Sequence, residues 1–267
     1  MKLSILGSGT SHGIPVLGCG CPVCRSEDPR DKRMRASLYI EGNGGERVVI
    51  DTGPEFRLQA IRAGITGLDA VLLTHAHADH VHGLDDVRPL SRERVIPVYG
   101  SPQTLEELRE RFAYVFKKTQ IGGGKPRIEL CAALGPLQIG GLVLTPVPVK
   151  HGVLDILGWR ADEAGAGTAV YLTDTSAIPA LSRPFIERPE ILIVDGLRKR
   201  PHETHFSFEE ALETAADLQA RRVYLTHISH DHSHSEIEDY CRTFSKKRGL
   251  TGVRMGPAWD GFTIENL

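Results

Sequence analysis

Three histidines and an aspartate, His75, His77, Asp79 and His80, stand within six residues, directly after the apolar run Ala70-Val71-Leu72-Leu73. No feature restricts the fold more. Imidazole and carboxylate supply the N and O donors that suit zinc, manganese or iron, and no ordinary packing role asks for them at this density. The apolar run reads as a buried strand, and Gly83 with Asp85 and Asp86 marks a turn beyond it. The donors therefore sit where a strand ends, which is where open α/β layers carry their chemistry.

The rest of the chain must build layers around that strand end. Strand patterns recur at 2–6, 37–40, 47–50, 69–73, 95–99, 142–149, 156–160, 169–172, 191–194, 223–225 and 262–265. Gly42-Asn43-Gly44-Gly45 predicts a hairpin between the second and third. Helical patterns cover 54–63, 102–113, 208–218 and 235–247. Pro54 and Gly64 bracket the first, Ser101 caps the second, and Ser235 and Gly249 bound the last. Many strands first, then strands mixed with helices, predict an α/β fold of the αββα type: two mixed β-sheets packed face to face and flanked by helices. Gly7-Ser8-Gly9-Thr10-Ser11-His12-Gly13 lacks the helix pattern of a dinucleotide-binding turn. Residues 117–127, with Gly122-Gly123-Gly124, read as a basic surface loop beside a pocket.

The 267 residues, 40% of them hydrophobic, suit one domain spanning 1–267. A net charge of -2 gives no support for a broad nucleic-acid-binding face, so nucleic acid is not the favoured partner. No run approaches membrane-spanning length and the first residues do not resemble a signal peptide, so the expected location is cytoplasmic, with no membrane partner. A homodimer is compatible with the sequence.

Other polar residues end strands in the same way: His151, Asp174, Asp195 and His227. Together with the first cluster they suit two divalent ions, zinc or manganese, that share Asp174. His75, His77 and His151 would serve one ion, and Asp79, His80 and His227 the other. A turn is needed between His77 and His80, and small Ala78 permits it. Asp69 and Asp51 are candidates to accept the second N–H of a metal-bound histidine. Cys19, Cys21 and Cys24 crowd one Gly/Pro-rich segment within the long loop at 7–35, too tightly for unstrained disulfides. They suit a structural zinc whose fourth ligand comes from elsewhere.

The His75-Ala76-His77-Ala78-Asp79-His80 run matches the HxHxDH motif completely, and the chain resembles the metallo-β-lactamase-fold hydrolases and their phosphodiesterase branch. By that resemblance His151, Asp174 and His227 match the later metal histidine, the bridging aspartate and the last metal histidine. Cys19-Gly20-Cys21-Pro22-Val23-Cys24 and Thr226-His227-Ile228-Ser229-His230 resemble the PhnP group of phosphoribosyl cyclic phosphodiesterases. The likeness implies a structural zinc on Cys19, Cys21, Cys24 and His230, with His232 and His234 as competitors for the fourth place. His202-Glu203-Thr204-His205 resembles a stretch whose later histidine assists protonation of the leaving oxygen, which would make His205 a catalytic acid.

The implied activity is hydrolysis of a small phosphodiester, such as a phosphoribosyl 1,2-cyclic phosphate or a nucleotide-like cyclic phosphate, by a hydroxide shared between the ions. The rival enzyme readings are a tRNA 3′-processing endonuclease, a lactone or thioester hydrolase, and a PqqB-like protein. A non-enzymatic metal-dependent scaffold is the reading from a different class. Lys117, Lys118, Lys125, Arg127, Lys150 and the cations at 198–200 are the candidate phosphate contacts.

Overall fold

The structure, a computed structural model, describes residues 1–117 and 124–265. Lys118 and the Gly122-Gly123 pair of the expected basic loop lie outside the described residues. The first sheet holds β1 (Lys2–Gly7), β2 (Ser37–Glu41), β3 (Arg47–Ile50), β4 (Ala70–Leu72), β5 (Ile96–Gly100) and β6 (Ile128–Ala132). The second holds β7 (Leu137–Ile139), β8 (Leu142–His151), β9 (Leu154–Glu163), β10 (Gly167–Leu172), β11 (Ile191–Asp195), β12 (Arg222–Thr226) and β13 (Arg254–Pro257). A last strand, β14 (Thr263–Ile264), returns to the free edge of β1.

Each sheet repeats one plan. β1, β2 and β3 are antiparallel and β3 to β6 run parallel; β7 to β10 are antiparallel and β10 to β13 run parallel. The predicted hairpin joins β2 to β3, with Gly45 at φ 87°, a left-handed conformation that glycine adopts without a Cβ penalty.

Alternation along the strands makes the layers. Val48, Ile50, Leu72, Ile191 and Ile193 point between the sheets, where they meet Leu144, Trp159 and Tyr171. Their neighbours Val49 and Val71 face outward under helices, as do Leu192 and Val194 on the other side. Strands covered on both faces must be apolar at every position, which is why these runs read as continuous. The helices are α1 (Pro22–Arg25), α2 (Phe56–Arg62), α3 (Ala78–Val81), α4 (Pro102–Arg111), α5 (Ala113–Phe116), α6 (Phe208–Asp217) and α7 (His234–Lys247). α2 and α4 cover the first sheet through Phe56 and Leu108, and α6 and α7 cover the second through Phe208, Leu212 and Ile237. The αββα sandwich is the architecture found.

Two bonds stitch the sheets together beside the histidine cluster. The Trp159 indole N–H donates to Leu73 O at 3.2 Å, and Leu157 N donates to Thr74 O at 3.0 Å. Trp159 is 1% exposed, so its truncation to alanine is expected to cost about 3–5 kcal/mol and to loosen this end of the sandwich.

The structure corrects one helix start. Ser233, not Ser235, caps α7: its hydroxyl accepts from Glu236 N while the Glu236 carboxylate accepts from Ser233 N at 2.7 Å. Ser233 and Ser235 are each followed three residues later by glutamate, so both fit the capping-box pattern and only the chain's approach selects between them.

Candidate metal centre

Parallel strands deliver their carboxyl ends to one edge of the sandwich, and the sequence candidates meet there. His75 follows β4, Asp174 follows β10, His227 follows β12, and Asp195 and His151 are the last residues of β11 and β8. Asp51, Asp174 and His227 adopt left-handed backbone, with φ of 62°, 53° and 55°. Non-glycine residues seldom hold this conformation, which here turns each side chain sharply off its strand toward a common centre. His77 precedes α3 and His80 lies within it, so one helical turn separates them, as expected. Gly53 packs against that turn. A Cβ there would stand 2.2 Å from Asp79 O, so only glycine lets α3 approach the end of β3 this closely.

Four overlapping donor groups result: two match those expected from sequence, and the other two, His151 with Asp174 and His205, and Asp195 with His205 and His227, bring His205 to the same centre. His75, His77 and His151 converge as one of the expected pair, and Asp79, His80, Asp174 and His227 as the other, with the donor atoms of each group within 4.8 Å of one another. Asp174 faces both histidines of its group, its Oδ2 3.2 Å from His80 Nε2 and its Oδ1 3.3 Å from His227 Nε2. The electrostatics suit cations. Asp51, Asp79, Asp174 and Asp195 are all buried in one small volume. His80 Nε2 and His227 Nε2 are buried without a hydrogen bond among the described residues, a costly arrangement unless something binds those lone pairs. Burial holds His75, His77 and His151 below the ordinary imidazole value, which keeps them neutral and ready to ligate. At His80 burial works the same way, but Asp174, Asp51 and Asp79 outweigh it and raise the ring well above that value. The donor set fits divalent metal ions.

Asp51 and Asp69 separate cleanly. The Asp51 carboxylate accepts from His80 Nδ1 at 2.7 Å and from the Thr74 hydroxyl at 2.8 Å, so it orients a site histidine. Asp69 does not. It lies at the opposite end of β4 and pairs with Arg94 at 2.6 Å. Asp195 has a role that its strand-end position only hinted at: its Oδ2 accepts from His205 Nδ1 at 2.7 Å and from Thr175 N at 2.8 Å. The His205 ring then stacks at 4.7 Å on His227 and lies 4.8 Å from His151. Burial lowers the pKa of His205 against the pull of Asp174 and Asp79. His202 stands 5.1 Å behind it, further from the cluster.

The candidate phosphate contacts disperse. Lys150 pairs with Asp155, the Arg127 guanidinium donates to Arg92 O and Lys125 to Lys117 O. Arg198 alone among them has a charge that bears on both His202 and His205, lowering each after burial has done so.

The cysteines form a second centre. His230 Nδ1 lies 3.4 Å from Cys19 Sγ, 3.4 Å from Cys21 Sγ and 3.5 Å from Cys24 Sγ. Bonds of about 2.3 Å to sulfur and about 2.05 Å to nitrogen, at the tetrahedral angle, put S and N about 3.6 Å apart. The spacing fits one zinc ion. Each sulfur also accepts a backbone N–H, from Cys21, Cys24 and Val16 respectively, which favours thiolates. Cys21 is drawn down to about 6, first by the Cys24 N–H, while burial raises Cys24 to about 11. His232 packs on Phe208 and His234 on Trp259, so neither competitor reaches the thiols.

Buried Arg33, which sequence reasoning passed over, locks this loop to the histidine-bearing segment. It donates to Ser229 O at 2.6 Å and His232 O at 3.1 Å, and pairs with Asp31 at 2.9 Å. A charged residue among the loop's many cations carries no sequence signal of burial.

Comparison with known proteins agrees with this geometry. Residues 46–228 match the family described as the Beta-lactamase superfamily domain. A crystal structure described as a new diphosphatase from the PhnP family superposes with a TM-score of 0.85 at 39% identity, covering 99% of this chain and 97% of that one. An octanoyltransferase from Porphyromonas gingivalis is 42% identical over 86% of this chain, which spans only 46% of that protein's length. Coenzyme PQQ synthesis protein B from Methylobacterium radiotolerans is 28% identical over 75% of this chain and 69% of its own.

Proposed function

The chain belongs to the β-lactamase superfamily, as a metallo-β-lactamase-fold hydrolase closely resembling the PhnP family, and from that premise we propose that it hydrolyses a small phosphodiester at a dinuclear metal centre. The observation that carries the reading is the pair of converging donor groups around Asp174. His75, His77 and His151 would hold one ion, Asp79, His80 and His227 the other, and Asp174 would bridge. Two divalent ions there supply Lewis acidity: they activate water near neutral pH and offset charge on phosphoryl oxygens.

The chain's own residues do the rest. Asp51 fixes the His80 ring through Nδ1, and Thr204 O does the same for His151 at 2.8 Å, so each presents Nε2 to the centre. Asp195 fixes His205 with its proton on Nδ1, leaving Nε2 to carry a proton to the departing alkoxide. His205 is the acid, and Asp195 positions it. A structural zinc on Cys19, Cys21, Cys24 and His230 would hold the loop at 7–35 beside the site. The reading assigns residues 1–267 to one domain.

Ribose cyclic phosphates and nucleotide-like cyclic phosphates are the leading substrates. A second reading has one specific support: the relative at 39% identity is called a diphosphatase, which places phosphoanhydrides beside diesters. A metal-defined hydrolysis screen separates them, covering ribose 1,2-cyclic phosphates, 2′,3′-cyclic nucleotides, linear diesters, nucleoside diphosphates and lactones. Turnover confined to phosphorus esters or anhydrides supports the proposal. Lactone turnover alone, or binding of metal without any turnover, defeats it.

A further inference from the structure

The end of the sandwich opposite the metal centre carries a second concave surface. It lies where β11, β12 and β13 begin, whereas Asp195 and His227 stand at the far ends of β11 and β12. Two adjoining hollows, of about 760 and 340 Å³, share Glu190, Gln219 and Arg221 in their walls. The larger has the size of a small-molecule site. Leu250, Val253 and Met255 form its apolar wall, half-buried and packed against the core of the second sheet. Four guanidiniums, those of Arg188, Arg221, Arg222 and Arg254, border the two hollows against one carboxylate, Glu190. Glu190 is divided between Arg221 at 3.2 Å and Arg222 at 3.7 Å, which leaves Arg254 with no ion-pair partner among the described residues.

The backbone at this surface is strained as well. Among the described residues, five that are not glycine hold left-handed backbone, and three of them serve the metal centre. The other two, Arg188 (φ 50°) and Gln219 (φ 57°), meet at the smaller hollow, where Arg188 Nε donates to Gln219 Oε1 at 2.8 Å. Strain of this kind gathers at functional sites. The lining also selects a ligand class. Guanidiniums are planar forks matched to carboxylate or phosphate. The wall is aliphatic, and no aromatic side chain among the described residues lines either hollow, so nothing is placed to stack a nucleobase. One uncommitted guanidinium matches one negative charge. We propose that the larger hollow binds an aliphatic carboxylate, with its hydrocarbon body on Leu250, Val253 and Met255 and its carboxylate on Arg254. The site is independent of the reaction at the metal centre.

Isothermal calorimetry on the metal-loaded protein tests the proposal, with decanoate below its micelle concentration as the probe. Decanoate is expected to bind more tightly than hexanoate by about tenfold or more, because the longer chain buries more apolar surface. Decyltrimethylammonium, with the same chain and the opposite charge, is expected to bind about tenfold or more weakly than decanoate. Arg254→Met should weaken decanoate binding by about tenfold and Arg254→Lys by less, whereas Glu190→Gln should tighten it by releasing Arg221 and Arg222. Asp174→Ala, which disrupts the metal pair, should bind decanoate as the wild type does. No binding of decanoate, equal binding of the ammonium, or unchanged affinity in Arg254→Met overturns the proposal. Loss of binding in Asp174→Ala overturns it too, because the carboxylate would then be a ligand of the metal centre.

Discussion

The Asp195–His205 pair invites a graded experiment. Asp195 Oδ2 accepts from two donors, His205 Nδ1 and Thr175 N, while Oδ1 is buried with no partner among the described residues. In Asp195→Asn the amide oxygen can occupy the Oδ2 position and keep both bonds, because Thr175 N is a fixed backbone donor. What is lost is charge. A hydrogen bond to a charged group is worth about 1.5–3 kcal/mol and a neutral one about 0.5–1.5 kcal/mol, so the change should remove about 1–1.5 kcal/mol from the transition state in which His205 handles the proton. That is about tenfold in kcat. Asp195→Ala removes the whole bond and frees the ring to change tautomer, for a loss of about 10–100-fold. His205→Ala is expected to lose about 10²-fold, the lower end of general-acid contributions. The assay is kcat across diesters of graded leaving-group basicity, with metal content measured on each variant. The defects should shrink for activated aryl leaving groups, and adding Asp195→Asn to His205→Ala should cost nothing further, because the aspartate acts only through the ring. Defects that are additive in the double variant, or equal for every leaving group, would refute the pairing. So would normal rates in His205→Ala.

Three other outcomes follow from the same geometry. Asp174→Ala should abolish paired metal occupancy and nearly all diester turnover, whereas His75→Ala should retain an ion in the other donor group; elemental analysis of folded variants decides between them. Arg33→Met strands the Asp31 carboxylate, 3% exposed, and should cost about 3–5 kcal/mol in denaturant unfolding while lowering zinc retention by the cysteine centre; a stability change below about 1 kcal/mol would contradict that role. Burial raises buried Asp260 from 3.8 to about 6, against the Met34 and Ser8 donors that favour its charge. Between those values the folded state binds the extra proton, so this group lends stability as pH falls from about 6 to about 4 and withholds about 3 kcal/mol above pH 6. Asp260→Asn should flatten the slope of unfolding free energy against pH in that window; an unaltered slope would assign it elsewhere.

Much of the site was legible because metal chemistry is local in sequence. Seven donor residues come from short runs at strand ends, and strands buried on both faces announce themselves as unbroken apolar runs. What was illegible depends on pairing and on edges. β6, β7 and β13 went unread since edge strands are half-covered: Ile128–Ala132 is partly exposed along its length, and Arg254–Pro257 holds glycine and proline. Asp51 and Asp69 both flank strands and looked equivalent. Parallel pairing of β3 with β4 carries Asp51 to the level of Leu73, where its carboxylate meets Thr74 N, whereas Asp69 sits at the other end, four residues and about 13 Å away. The left-handed backbone at Asp51, Asp174 and His227 runs against the preference of those residues and is imposed by tertiary contacts, so no local pattern foretells it. No helix among the described residues is long and apolar enough to cross a membrane, in line with the absence of any such run in the sequence.

Two metal environments in one chain are what the proposed hydrolysis and the anchored loop require. Anomalous scattering at the zinc edge, from crystals of reduced, fully zinc-loaded protein, tests for both most directly. The expected map has three peaks: one within His75, His77 and His151, one within Asp79, His80 and His227, with Asp174 between them, and one amid Cys19, Cys21, Cys24 and His230. A single peak at the histidine cluster, or none beside Asp174, would contradict the dinuclear centre on which the proposed hydrolysis depends.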